Sequence, residues 1–504
     1  KTLNSKSIIF DYYKSGNDYR FNPLNYYEYY IQYQVYTLYL GIKTQKESTK
    51  IITDNKIDLT DCLTVATLSD KYMKVKGSYD GVCSLSGNLR KFVSNAVTGG
   101  RVQVNPLYKK KVINKRISAI DARSLYPSAI DRMCKEYGAP TGKCQRINEY
   151  TKDELDEYKY YIVKVVITKI NKHQQLPMVC YKNKKGLLQY TNKIVKPLEV
   201  VIDMITLQDW IMYQQIEYKI LDGFYWNNTY NTKMGDVINE IYNDRLKYSD
   251  EGKDQLADVA KLMSNSTYGK MIKKKTSHSY RIVSEKQRDA CIETYFSLME
   301  SCERLPNGET KLKLSKYDSS SNYAHIGVFV LSYSKRIMNE VFDIANTHNC
   351  PIYYTDTDSL HCNTDDLKTI ENEYFNKYDK VLMGRQMGQF HTDFELEGSD
   401  GEIYATRSIY LGKKSYMNIL ESINDKGEII TGIKFRMKGI VDVALQHHAN
   451  RHYNGDLFKL YEELAKGISM TITLNPKNVK VMFEYKNNAI NTRADGSFTR
   501  TIKF

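Results

Sequence analysis

The run PIYYTDTDSLHC, Pro351 to Cys362, sets two carboxylates one residue apart, Asp356 and Asp358, at the end of an apolar and aromatic segment that reads as a buried strand. Like charges that close repel, so a chain carrying this run must fold in a way that brings positive charge to the strand tip. Asp121 repeats the design. In KRISAIDARSLYPSAI (Lys115 to Ile130), ISAI predicts a strand that Pro127 stops, SAIDRMCKEYG then runs as a helix, and Asp121 is left at the strand end. The two tips are separated by more than 200 residues. If neighbouring strands of one sheet bring them together, three acids converge, and such a cluster is tolerable with a divalent cation neutralising it. Mg²⁺ suits oxygen ligands and is usually held by one or two carboxylates together with substrate phosphates. Taken alone, the acidic pair also fits an exposed hairpin turn or the metal site of a sugar-nucleotide transferase.

A second pattern narrows the chemistry. In KLMSNSTYG, Lys261, Asn265 and Tyr268 are spaced i, i+4, i+7, which at about 100° per residue places them within roughly 60° of one helical face. A solvated face seldom needs a ring, and a core face would not take the lysine. The mixed stripe therefore reads as a ligand surface, with Lys261 able to meet a triphosphate and Tyr268 able to pack on a base pair. Charge agrees: the net +14 over 504 residues, clustered in YKKKVINKR, KNKKG and KMIKKK between acidic stretches, is the footprint of a phosphate-rich partner in a groove. Nine cysteines without a CxxC pair argue against a zinc site and a disulfide framework, and point to reduced thiols and an intracellular setting. No run of about 18 apolar residues is present to cross a bilayer, so no membrane partner is expected. The chain begins at Lys1 rather than Met, with nothing like a signal peptide, and is expected to lack an original N-terminal portion.

Local patterns place these residues on elements. NPLNYYEYYIQYQVYTLYLGIKT (Asn22 to Thr44) predicts a helix, with Leu24, Tyr27, Ile31, Val35 and Leu38 recurring at helical spacing. Gly99-Gly100 followed by RVQV predicts a turn into a short strand and a boundary near residue 100. YYIVKVVITKI (Tyr160 to Ile170) predicts a strand; SDEGKDQLADVAKLMSNSTYGKMI predicts one long helix capped by Ser249 or Asp250; Tyr323 to His348 predicts another helix, leading straight into the acidic run. His361 and Cys362 read as packed strand positions.

DARSLYPS, KLMSNSTYG and YTDTDS, in this order, resemble motifs A, B and C of the family B DNA polymerases. YLGKKSYM (Tyr410 to Met417) is similar to that family's KxY primer-strand motif, and KFRMKGI (Lys434 to Ile440) to the segment that opens its thumb. Within the family the chain looks most like the protein-primed branch of phages, adenoviruses and linear plasmids, because TGGRVQV resembles that branch's Gly-Gly hinge, although Val97 or Thr98 replaces the usual tyrosine. The resemblance implies an α+β right-hand fold with an antiparallel palm sheet, helical fingers, a small thumb and a partial N-terminal exonuclease-like domain. It divides the chain into 1–60 (end of the exonuclease-like domain), 61–133 (linker and palm with motif A), 134–233 (an insertion resembling terminal protein region 1), 234–272 (fingers), 273–321 (an insertion resembling region 2), 322–438 (palm with motif C and KxY) and 439–504 (thumb).

The resemblance also implies roles. Asp121 and Asp358, with the Ala122 carbonyl, would hold two Mg²⁺ ions, for which Mn²⁺ could substitute, and Asp356 would support the site. Ser124, Leu125 and Tyr126 would lie against the incoming deoxynucleoside triphosphate, Tyr126 closing the space a 2′-hydroxyl needs. Lys261, Asn265 and Tyr268 would serve the same ligand, and Arg245, Lys247 or Lys253 would add charge to it. Gly99, Gly100, Arg101, Thr357, Lys414, Tyr416 and Lys438 would contact the DNA primer-template. The partners implied are DNA, nucleotides and a terminal priming protein. The proofreading Tyr-x3-Asp motif fails here: in YYIQYQV the acid's place falls on Gln34, or on Tyr33 with a one-residue shift, so no 3′–5′ exonuclease activity is expected. Two alternatives stand beside this reading: a family B replicative polymerase started on an RNA or DNA primer, and an inactive DNA-binding structural subunit of a replication complex.

Overall fold

β-Branched and aromatic residues concentrate around the acids, and these segments pair into one antiparallel sheet of nine strands. The structure, a computed structural model, describes residues 23–274, 278–315, 322–473, 482–486, 489–493 and 499–504. In chain order its main elements are α1 (Pro23–Ile52), β1 (Val102–Val104), β2 (Ile117–Ala122), α2 (Leu125–Glu136), β3 (Tyr160–Ile170), β4 (Cys180–Lys182), β5 (Leu188–Tyr190), β6 (Leu198–Asp203), α3 (Met204–Gln214), β7 (Ile216–Trp226), α4 (Lys233–Asp250) and α5 (Asp254–Met271). They continue with β8 (His278–Val283), α6 (Glu285–Tyr295), β9 (Met299–Arg304), β10 (Thr310–Ser315), α7 (Ala324–Thr347), β11 (Ile352–Asp356), β12 (Ser359–Asn363), α8 (Thr364–Tyr378), β13 (Phe390–Thr392), β14 (Tyr404–Gly412), β15 (Ser415–Ile423), β16 (Ile429–Met437), α9 (Asp442–His452) and α10 (Leu457–Ala465).

The main sheet runs β1–β11–β12–β2–β14–β15–β16, with β13 also on β2 and Val112–Ile113 on β14. Register fixes the acids. Ser359 lies opposite Asp121, Asp356 opposite Ser359, and Val102 opposite Asp356, so the two tips sit side by side. Under the sheet α7, apolar over most of its length, is buried from Ala324 to Ser334 and packs on α2 and α3. Two of its charges form buried pairs: Glu340 takes Arg132 at 2.5 Å, and Arg336 reaches Asp209 at 2.7 Å. Those pairs satisfy ions that burial would otherwise penalise.

Beside this core, Gln145–Arg146, β7, β3 and β6 form a separate four-stranded sheet. Asp203 ends β6 and caps α3, accepting from the Ile205 and Thr206 amides at 3.0 and 3.2 Å. β8, β10 and β9 form a three-stranded sheet accompanied by α6; the neighbouring residues 275–277 and 316–321, which the sequence reading assigned to the second insertion, lie outside the described residues, as do residues 1–22 of the N-terminal part. α9 and α10 pack with Ile409, Leu411 and Met417 of β14 and β15.

One expectation is corrected. Ser249 and Asp250 do not cap the long helix; they end α4, the chain reverses through Gly252 at φ +69°, and α5 starts at Asp254. The left-handed turn that glycine permits splits one expected helix into a packed pair. α1 forms where its spacing predicts, yet Ile31, Val35 and Leu38 are 57, 60 and 63% exposed. Among the described side chains of α1, those buried lie at its C-terminal end, at Ser48, Thr49 and Ile52. Among the described residues no helix is long and apolar enough to cross a membrane.

Candidate active site

Asp121 is the penultimate residue of β2 and Asp358 sits in the turn between β11 and β12; β12 pairs with β2, Ser359 opposite Asp121, so the two carboxylates line the same cavity. Both are pushed above the ordinary carboxylate range, first by burial and then by neighbouring carboxylates: Asp358 and Asp393 act on Asp121, Asp356 and Asp393 on Asp358. The nearby Lys434 is taken by Asp393 at 2.7 Å. Two half-buried carboxylates without a cation of their own form a donor set for a hard, oxygen-seeking cation, with positions left for substrate phosphates. Among the described residues no group of three or more His, Cys, Asp or Glu is arranged to hold a metal, so this set is two carboxylates, with Ala122 lining the same cavity.

The third acid goes elsewhere. Thr357 adopts φ +68°, turning the chain between the two aspartates. Asp356 consequently meets Lys414 at 3.2 Å and the Tyr354 hydroxyl at 3.2 Å and does not line the cavity, which corrects the expectation of three converging acids.

The cavity holds about 430 Å³ and is walled by motif residues from three elements. Ser124, Leu125 and Tyr126 come from the start of α2, where Ser124 has φ +50°. Lys261, Asn265 and Tyr268 come from one face of α5, as their spacing predicts, and Arg245 reaches in from α4, donating to the Ser124 hydroxyl at 3.1 Å. The Tyr126 and Tyr268 rings stack, centroids 4.0 Å apart. Carboxylates thus face cations across a space bounded by two rings. Lys247 and Lys253 are corrected: both are exposed and neither lines the cavity. Lys247 stands two residues beyond Arg245, which on a helix turns it to another side, and Lys253 pairs with Glu251 at 2.7 Å.

The residues expected to contact the primer-template surround the turn rather than the cavity. Gly100 lies so close to Thr357 that an added Cβ would stand 2.7 Å from Oγ1 and 2.9 Å from Cβ of that residue, and the Thr357 amide donates to the Arg101 carbonyl at 2.8 Å. Gly99 has open space around it. Arg101 is corrected as a DNA contact: its side chain is 5% exposed, donates to Asn339 at 2.6 Å and covers the Phe342 ring. Lys414 occupies the β14–β15 turn at φ +57°, while Tyr416, 7% exposed, packs with Tyr354, His361 and Tyr410. His361 and Cys362 are buried, as read from the sequence, and Lys438 is exposed at the end of β16.

Sequence reasoning missed Arg123 and His391, which also line the cavity. His391 is the register partner of Asp121 and its Nδ1 stands 2.9 Å from the Asp121 carbonyl oxygen. β13 is three residues long, and no alternation marks it.

With this geometry in place, comparisons place the chain. The profile of the family described as DNA polymerase type B, organellar and viral, matches residues 9–347. The chain belongs to this family. A protein named DNA polymerase from Kluyveromyces lactis is 28% identical over 360 residues, 68% of this chain and 32% of that protein. Uncharacterized protein 075R of Invertebrate iridescent virus 3 is 27% identical over 147 residues, 28% of this chain and 85% of that protein. Among solved structures, Phi29 DNA polymerase overlays with a TM-score of 0.56 at 17% identity, covering 76% of this chain and 62% of that one. Its complex with primer-template DNA and incoming nucleotides gives 0.54 at 19%. This family member therefore has the α+β right-hand polymerase fold. It spans about a third of the Kluyveromyces relative's length and about three-fifths of the Phi29 enzyme's.

Proposed function

We propose that this type B family member is a template-directed DNA polymerase of a virus or mobile element that starts synthesis on a protein hydroxyl. The observation that carries the reading is the pairing of two strand-tip carboxylates, Asp121 and Asp358, across one 430 Å³ cavity from Lys261 and Arg245. Two Mg²⁺ ions, when bound there, would supply charge stabilisation and alignment for attack by a primer hydroxyl on the α-phosphate. Residues of the chain do the rest. Asp121 and Asp358, with the Ala122 carbonyl, hold the ions; Lys261 and Arg245 neutralise the triphosphate. Asn265 and Tyr268 border the nascent base pair, and Tyr126 excludes a ribose hydroxyl. Such a site works by positioning and electrostatics, with little covalent work by the protein. Lys414, held by Asp356, and Tyr416 steady the primer strand; Lys438 meets duplex backbone without reading sequence.

In this reading the nine-stranded sheet (within 61–133 and 322–438) is the palm, α4 and α5 the fingers (234–272), residues 439–504 the thumb, and 134–233 and 273–321 the two terminal-protein-region insertions. The Kluyveromyces relative, named a DNA polymerase, and the Phi29 complexes with primer-template DNA and nucleotides support polymerisation on DNA. The priming mode is supported by the TGGRVQV hinge and by the two insertions. Primer extension in Mg²⁺ on DNA and RNA templates, with Asp121→Ala as control, tests the activity. Extension that survives Asp121→Ala refutes it. Incubation with a terminal protein and one nucleotide tests the start, covalent labelling of that protein being the expected result and primer-only synthesis the contrary one.

A further inference from the structure

A second cavity, sharing no lining residue with the first, opens beside the Thr98–Arg101 segment. It holds about 290 Å³ between β4, β6 and α3, with Tyr181, Leu198 and Trp210 on its walls and Lys182 and Lys164 among its polar lining. Lys164 is paired with Glu199 at 2.6 Å, and Lys182 donates to the Val97 carbonyl at 3.3 Å. Thr98, Cys180, Thr206 and Trp210 also line a space of about 20 Å³ that continues inward to Arg101, Lys335 and Asn339, which makes that space the floor of the larger cavity.

The floor carries more positive charge than its carboxylates answer. Asp209 is engaged by Arg336 at 2.7 Å and by the Asn339 amide at 2.8 Å. Asp203 accepts from two amides and from the Thr206 and Ser332 hydroxyls. What remains is Arg101, 5% exposed, held by Asn339 and weakly by the Pro177 carbonyl at 3.5 Å, with its Nε unpartnered, and Lys335, whose Nζ meets only the Thr98 hydroxyl at 2.5 Å. Among the described residues neither has a carboxylate within ion-pairing distance. Burial holds both below their usual pKa, Arg101 at about 10. Asp203 offsets one of these charges from a distance, which leaves the buried pair with one positive charge in excess and favours an anion beside it. The volume above them is of the size of a small ligand, and its aromatic and aliphatic walls suit a flat ring.

We infer that this cavity binds a nucleoside phosphate, the phosphate lying on Lys335, Arg101 and the Thr98 hydroxyl and the base between Trp210, Tyr181 and Leu198. A free mononucleotide and an unpaired nucleotide of single-stranded DNA present the same chemistry. Arg101, expected from the family resemblance to contact the DNA primer-template, acts here as a buried phosphate anchor instead.

The chain supplies its own reporter, because Trp210 and Trp226 are its two tryptophans and Trp226 is fully buried, stacked on His325 at 5.0 Å. Tryptophan emission is titrated with dAMP and with a short oligodeoxythymidylate in EDTA, which silences metal-dependent binding at the carboxylates. Saturable quenching by either probe, competed by inorganic phosphate, is expected; which of the two binds tells free nucleotide from single strand. Lys335→Met should weaken it at least tenfold and Thr98→Val, which removes only a hydroxyl, about threefold, whereas Lys261→Ala in the first cavity should leave it unchanged. Thermal melting checks that each variant is folded, and Thr98→Val serves if Lys335→Met is not. Absence of saturable quenching by both probes overturns the inference, as does quenching that Lys261→Ala abolishes and the cavity variants do not touch. Because the readout involves no synthesis, its failure leaves the polymerase reading standing, and the converse.

Discussion

Gly100→Ala is the sharpest perturbation of the contact between the Gly99-Gly100 segment and the Asp356–Asp358 turn. The new methyl would stand 2.7 Å from Thr357 Oγ1 and 2.9 Å from its Cβ, and closer still to Cγ2. Thr357 has no slack to give, since it already holds φ +68° and its amide is tied to the Arg101 carbonyl at 2.8 Å. Overpacking of this kind costs about 1–3 kcal/mol. If the turn moves to relieve it, Asp358 moves off Asp121, and the same energy appears as a loss in rate of roughly 5- to 150-fold. The assay is single-turnover primer extension at saturating nucleotide, with urea unfolding alongside to separate displacement from destabilisation. Thr357→Gly removes every side-chain atom that the methyl meets and relieves the positive φ as well. The double variant Gly100→Ala/Thr357→Gly should therefore recover most of the loss relative to Thr357→Gly alone, a coupling of at least about 1 kcal/mol. Wild-type extension by Gly100→Ala, or a loss the second substitution does not rescue, refutes the mechanical link.

Other outcomes follow from the same geometry. Asp121→Ala and Asp358→Ala should each abolish extension while gel-shift affinity for primer-template stays within about threefold, because electrostatic contacts elsewhere dominate DNA affinity; a parallel loss of affinity would speak against a metal-holding role. Tyr126→Val should raise ribonucleotide incorporation relative to deoxynucleotide at least tenfold, and unchanged discrimination would make Tyr126 a packing residue. His325 and His361 are buried neutral, each pKa lowered by burial to about 3 from an ordinary 6.5. The unfolded chain then binds protons the folded one refuses, so their stabilising contribution is complete above pH 6.5 and falls as pH drops toward 3. The slope is up to about 2.7 kcal/mol per pH unit for the two together. Urea melts from pH 6.5 to 4.5 should show His325→Phe with about half that dependence; an unchanged slope would place the titration elsewhere.

Much of the site was legible because its parts are local. Each strand tip carries its own break, the left-handed Ser124 ahead of α2, which holds Pro127 in its first turn, and the DTDS turn after β11, and α5 keeps Lys261, Asn265 and Tyr268 on one face by helical geometry alone. What resisted reading depends on single torsions or on distant partners. Strand periodicity would put Asp356 and Asp358 on the same side; one left-handed residue, Thr357, parts them and hands Asp356 to Lys414. Gly252 likewise cut a continuous helical pattern in two. Arg245 and Lys247 cannot share a helical face, which the two-residue spacing already implied. His391 left no trace, because its strand is three residues long and its role comes from register against a segment 270 residues away. The stripe on α1 predicts its helix, and the exposure of Ile31, Val35 and Leu38 shows that periodicity fixes a face and says nothing of what covers it.

The segment Thr98–Arg101 joins both cavities. Gly100 presses on the catalytic turn and the Arg101 carbonyl takes the Thr357 amide, while the Arg101 guanidinium and the Thr98 hydroxyl form the floor of the second site. A phosphate drawn onto that floor orders the same four residues that set where Thr357, and through it Asp358, can stand. Coupling between binding sites is reciprocal. Whatever a nucleoside phosphate in the second cavity does to the affinity of the first for primer-template, primer-template must do, by the same factor, to the nucleoside phosphate.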